Sequence, residues 1–129
     1  MTRILLDTHL LIWTLDEFDR LPAEIRDLIQ DPTNEIVFSV VSIWEIAIKA
    51  RLGRANFAVR PEEIASSAIA TGFVELALHW QAAAAVADLP MHHRDPFDRA
   101  IVAQAMSEPI NLYTVDRKLI PYSPLVRAI

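Results

Sequence analysis

The stretch Arg3-Ile4-Leu5-Leu6-Asp7-Thr8-His9-Leu10-Leu11-Ile12-Trp13-Thr14 changes character at Asp7. Arg3 to Leu6 is a short apolar run of the kind that makes a buried strand, and it stops at the acid. Beyond it, Leu10, Leu11, Trp13 and Thr14 fall in a helical pattern ahead of Asp16. A strand that hands over to a helix within a few residues is the repeating step of an α/β fold.

The same step recurs down the chain. Leu21-Pro22-Ala23-Glu24 starts a helix with Pro22 near its first position, and Ile25, Leu28 and Ile29 recur at i, i+3, i+4 until Asp31-Pro32 ends it. Ile36 to Ser39 is strand-like. Ser42, with Glu45 three residues later, predicts the cap of a helix running to about Leu52, and Gly53 suits its end. Pro61-Glu62-Glu63 opens the next helix and Gly72 closes it. Phe73 to Leu78 alternates like a strand, and His79 to Ala87 reads as an Ala-rich helix. Asp95-Pro96 opens a helix reaching about Met106. Asn111 to Thr114 is a strand that runs out at Asp116, and the tail from Leu125 is a candidate edge strand. The fold class is therefore α/β with a mainly parallel sheet.

Composition agrees with one compact domain over residues 1–129. Hydrophobic residues make up 53% and charged residues 22%, which supports a core and argues against disorder. Two glycines leave little for a flexible linker. The absence of cysteine excludes disulfides, Cys-based metal sites and Cys nucleophiles, and fits a reducing, cytoplasmic setting. The first apolar run is broken at Asp7, unlike a signal peptide. An uncharged stretch such as Ile36 to Trp44 is too short to span a bilayer. Soluble behaviour, with no membrane partner, is the expectation.

The net charge of −5 alone speaks against nucleic-acid binding. Its distribution does not. Lys49, Arg51, Arg54 and Arg60 lie in a stretch free of acids, and Arg94, Arg99, Arg117 and Lys118 each lie close to an Asp. Such alternation is either a solvated surface or a phosphate-binding rim around an acidic metal site.

Four acids are candidates for that site. In open α/β sheets ligands bind beyond the carboxyl ends of the strands. Asp7 and Asp116 follow strands, Asp98 opens a helix, and Glu45 lies one turn into the helix after the second strand. Each has a structural alternative. Asp7 and Asp116 suit N-caps, and Asp98 suits the third position of a helix capped by Asp95. Glu45 sits among Ile43, Trp44, Ile46, Ala47 and Ile48, where a carboxylate needs a partner; Lys49 at i+4 is one and a metal is another. Gathered carboxylates suit Mg²⁺ or Mn²⁺, which prefer hard oxygen donors and offset the mutual repulsion. His9, His92 and His93 read as structural or surface residues ahead of ligands, and Trp13, Trp44 and Trp80 as core residues.

Four blocks now stand in order: Leu5-Leu6-Asp7-Thr8-His9, Ser42-Ile43-Trp44-Glu45-Ile46-Ala47-Ile48-Lys49, His93-Arg94-Asp95-Pro96-Phe97-Asp98-Arg99, and Tyr113-Thr114-Val115-Asp116. With them the chain resembles a PIN domain, and more closely the VapC-type toxins of bacterial toxin–antitoxin pairs, over essentially its whole length. The resemblance implies a three-layer α/β/α sandwich around a sheet of about four to five strands. It implies an Mg²⁺- or Mn²⁺-dependent endoribonuclease with Asp7, Glu45 and Asp98 as the main acidic triad and Asp116 as a fourth, more variable acid. Thr8 and Thr114 match polar positions beside the site. An antitoxin partner and a homodimer are implied as well. Val115 stands where the family often has Ala, which touches no catalytic position. Two other readings remain: a PIN-type RNA-processing or DNA nuclease without toxic action, and a non-catalytic α/β binding module in which the acids are caps.

Overall fold

Three consecutive side chains of the first strand, Ile4, Leu5 and Leu6, have no solvent exposure at all. An apolar run buried on both faces belongs in the middle of a parallel sheet covered on both sides. The computed structural model, which describes residues 2–129, has this arrangement. Strands β1 (Thr2–Leu6), β2 (Asn34–Ser39), β3 (Val74–Leu76), β4 (Asn111–Thr114) and β5 (Val126–Ala128) form one sheet in the order β3-β2-β1-β4-β5. All neighbours are parallel, and Leu5 lies opposite Val37 on one side and Leu112 on the other.

The period-2 alternation of a strand divides the core in two. Ile4, Leu6, Ile36 and Phe38 face a cluster completed by α1 (Thr8–Asp16), α2 (Ala23–Gln30) and α4 (Pro61–Thr71), through Leu10, Leu11, Ile25, Ile64 and Ala68. Leu5, Val37 and Leu112 face the opposite way, onto Ile101, Val102 and Ala105 of α6 (Pro96–Ser107). Helix α5 (Trp80–Ala85) packs on α6. Each fully buried aliphatic side chain of this kind contributes about 1.5–3 kcal/mol relative to exposure. The three-layer α/β/α sandwich is thus set by the alternation. Helix α3 (Val40–Arg51) sends Val41 to one cluster and Ile46 to the other, and so stands across the edge of the sheet.

The chain winds outward from β1 to β3, then crosses back to β4 and on to β5. The winding direction reverses between β1 and β4, and their carboxyl ends flank the crevice where such folds bind ligands.

Several expected elements are corrected. Ser39, not Ser42, caps α3: its Oγ accepts the Val41 N–H at 2.9 Å. Ser39 is still extended, as a cap must be, while Val40 and Val41 are helical despite their β-branching because Val41 is drawn into the core. The third strand shrinks to Val74–Leu76, and the Ala-rich helix divides into α5 and a 3-10 turn over Val86–Asp88. Trp44 and Trp80 are not core residues; they are 55% and 75% exposed. Gly72 closes α4 as read from sequence, with φ of 98°, a left-handed conformation that strains other residues.

Candidate active site

Asp7 is the first residue beyond β1 and the N-cap of α1, so strand end and helix start fix it from both sides. Its Oδ1 accepts the Leu10 N–H at 2.8 Å. Its Oδ2 accepts the Thr114 hydroxyl at 2.5 Å and the Val115 N–H at 3.3 Å. Thr114 closes β4, and its hydroxyl oxygen accepts the Asp116 N–H at 3.0 Å. One hydroxyl therefore joins the two acids that flank the switch point. Burial pushes the Asp7 carboxyl above its usual range, against the hydrogen bonds from Thr114 and Leu10.

Thr8 does the equivalent work for Glu45. Its hydroxyl donates to Glu45 Oε1 at 2.6 Å and lies 2.9 Å from Ser42 Oγ. Glu45 Oε2 takes the Lys49 ammonium at 2.5 Å, and the Glu45 side chain is only 2% exposed. Lys49 also donates to Asp95 Oδ2 at 2.8 Å, while Asp95 Oδ1 caps α6 by accepting the Phe97 N–H at 2.8 Å. Asp95 is thus the cap read from sequence, held by Lys49 as well. Burial pushes Asp95 up, but the Lys49 contacts outweigh it and its carboxyl lies below the usual range.

Asp98 occupies the first turn of α6, as expected. Its pKa is pushed up to about 8, first by burial and then by the charges of Asp95, Glu45 and Asp7, with Lys49 opposing. All four sequence-derived acids therefore share one neighbourhood, but not equally. Among the described residues, the group of three whose ligand atoms lie within 4.8 Å of one another is His93, Asp98 and Asp116. Glu45 is turned towards Lys49, and Asp7 towards Thr114.

His93, read from sequence as a structural or surface residue, lies among the candidate acids. Its Nδ1 accepts the Asp95 N–H at 3.0 Å, which assigns the proton of the neutral ring to Nε2. Nε2 then donates to Asp116 Oδ2 at 2.7 Å and lies 3.5 Å from Asp98 Oδ2. In this tautomer His93 is a donor to the acids. Only its place just before Asp95-Pro96 could have signalled this role.

The candidate basic rim is smaller than expected. Arg99 is 7% exposed and turned away from the acids. Its guanidinium donates to the carbonyls of Pro90 at 2.9 Å and Val86 at 3.0 Å, and to the Tyr122 hydroxyl at 3.1 Å. With both terminal nitrogens donating to carbonyls and to the Tyr122 hydroxyl, Arg99 is a tie for the loop that carries His93, which removes it from the rim. Arg94, Arg117 and Lys118 are exposed. Arg94 and Lys118 share a shallow depression of about 310 Å³ with Met91, His92 and His93, next to Asp116.

The acids present fit a hard divalent cation. Asp7, Glu45, Asp95, Asp98 and Asp116 meet one lysine and one histidine, so the carboxylates exceed the cations that could compensate them.

The geometry has relatives. A chain of the DNA-bound VapBC from Salmonella typhimurium superposes with a TM-score of 0.71 at 20% identity, over 100% of this chain and 98% of that one. For VapBC2 from Rickettsia felis, bound to a DNA fragment from its promoter, the values are 0.66, 14%, 99% and 98%. For VapBC-5 of Mycobacterium tuberculosis, a member of the VapBC family of toxin–antitoxin systems, they are 0.58, 22%, 100% and 98%. No match is found among curated protein sequences. The PIN-domain family model matches residues 4–122, which takes in all four acidic blocks. The chain belongs to the PIN-domain family.

Proposed function

We propose that the protein is a divalent-metal-dependent endoribonuclease that acts as the toxin of a VapBC-type pair. The observation that carries the proposal is the uncompensated carboxylate cluster at the switch point of a PIN fold, where Asp98 is pushed up to about 8 by burial and by its acidic neighbours. In this reading Asp7, Asp98 and Asp116 hold Mg²⁺ or Mn²⁺, with Glu45 beside them. A divalent cation there supplies Lewis-acid stabilisation of a phosphodiester and makes water nucleophilic at neutral pH.

The chain's own residues do the rest. Thr114 and the Leu10 and Val115 N–H groups hold Asp7 in one orientation, and Thr8 and Lys49 hold Glu45. The His93 Nε2–H donates to Asp116 and orients its carboxylate at the rim. Arg94, Lys118 and Arg117 supply the nearby positive charge for an RNA backbone.

The antitoxin partner is supported by the likeness to chains of VapBC assemblies. Homodimer formation is supported by α3, whose Val40, Trp44, Ile48 and Leu52 recur at i, i+4 and are exposed, an apolar stripe beside the site. No helix among the described residues is long and apolar enough to cross a membrane, and a cytoplasmic toxin is part of the proposal.

The test is cleavage of RNA by purified protein with Mn²⁺ or Mg²⁺, with EDTA, and as Asp7→Asn. Cleavage that survives EDTA or the substitution removes the metal-site assignment. Induced expression that leaves growth and translation unchanged removes the toxin role and leaves an RNA-processing or DNA nuclease.

A further inference from the structure

Lys49 does more than an i, i+4 helix pair requires. Its ammonium lies 2.5 Å from Glu45 Oε2 on its own helix and 2.8 Å from Asp95 Oδ2, a residue 46 positions further along the chain. It sits 5.0 Å and 5.6 Å from the ring centroids of Phe57 and Phe97, a partly desolvated seat in which the side chain is 15% exposed. Its field also reaches Asp98, where it is the one charge that opposes Asp95, Glu45 and Asp7. An ammonium and a divalent ion compete for the same carboxylate oxygens. Both Glu45 oxygens are already engaged, by Thr8 and by Lys49, and both Asp95 oxygens by the α6 N-terminus and Lys49. Asp98 has no such ammonium, and the His93 Nε2 lies 3.5 Å from its Oδ2.

We propose that Lys49 is the protein's own cation in this acidic site and takes the place of a second divalent ion, so that Asp7, Asp98 and Asp116 hold a single one. The proposal rests on the metal-dependent reading given above. A two-ion site spaces its cations by about 3.5–4 Å, and a fixed ammonium on Glu45 raises the cost of bringing another cation that close. Glu45 is then a carboxylate that Lys49 keeps outside the coordination shell, and Lys49 is a positioning residue.

The experiment counts Mn²⁺ on the full chain at neutral pH, by calorimetry for number and by EPR for spin-coupled pairs. The expected result is one ion per chain with an uncoupled spectrum for the wild type and for Lys49→Arg, and two coupled ions for Lys49→Ala. Lys49→Ala leaves the buried Glu45 and the half-buried Asp95 without a cation, so the paired variant Lys49→Ala with Asp95→Asn provides a second host and is also expected to bind two. Two ions on the wild type, or one ion on the folded lysine-free variants, overturns the proposal while the metal-dependent reading stands. No Mn²⁺ on any variant overturns both.

Discussion

The two sides of the acidic site differ in how their charge is balanced. On the inner side, Glu45 and Asp95 share Lys49, and every carboxylate oxygen has a donor. On the outer side, Asp98 and Asp116 meet His93 and, at Asp116 Oδ1, the Lys118 N–H, but no ammonium. Burial alone does not make the difference, since Glu45 is the more buried acid. What differs is the presence of an ammonium. The inner side is balanced by an ammonium of its own, and the outer side has none. A buried pair of acid and base is a structural device, whereas acids left without a base mark a place for chemistry.

Removing an acid from the outer side breaks the comparison most severely. Asp98→Asn is expected to lower RNA cleavage about 10²–10³-fold, measured as kcat/KM on a defined oligonucleotide, because charge stabilisation at the reacting phosphate is lost. An unchanged rate would mean that the outer side is not where the chemistry occurs.

Removing the base from the inner side is next. Lys49→Met is expected to cost about 3–5 kcal/mol in urea denaturation, since it strands Glu45 in a buried position. The double variant with Glu45→Gln should recover much of that loss, and equal losses in the single and double variants would show that packing rather than charge was at stake.

The two sides also carry opposite pH signatures. Asp98 has a folded pKa near 8 against an ordinary 3.8. Between those values the unfolded chain has released a proton that the folded chain keeps, so its contribution to stability falls as pH rises from about 4 to about 8. Asp95 is held below 3.8, so its contribution is present above that pH and is lost as pH falls through its folded value. In the metal-free protein, Asp98→Asn should therefore flatten the decline towards pH 8 and raise stability there by about 1–3 kcal/mol. Asp95→Asn should instead reduce stability at neutral pH. Identical pH profiles for the two variants would erase the distinction.

The smallest effect concerns the rim. Arg94→Ala and Lys118→Ala should each weaken RNA binding a few-fold and reduce the salt dependence by a slope of about 0.7 per lost phosphate contact, read by fluorescence anisotropy. Arg99→Lys should behave differently. By loosening the loop of His93 it should lower the melting temperature, with little change in the salt slope.

The sequence by itself determined the alternation of strand and helix, hence the α/β class. It also determined the four acids at strand ends and helix starts. Those features are local: an apolar run, a cap, a change of period at Asp7 and at Asp116. Caps and candidate catalytic acids were indistinguishable at that level, and Asp7 does not have to be one or the other, because the position that caps α1 is also the position beyond β1 at the switch point.

Only the tertiary structure decided how the acids divide. Lys49 was visible as the i+4 partner of Glu45, but its bond to Asp95 joins two helices and has no local signature. The tautomer of His93 follows from a backbone N–H that the fold brings to its ring. Arg99 looked like the other basic residues of its segment until packing turned it to the Val86 and Pro90 carbonyls. Residue type and spacing state which charges a chain has. Which of them meet, and which are left for a partner from solution, is set by contacts between segments far apart in the chain.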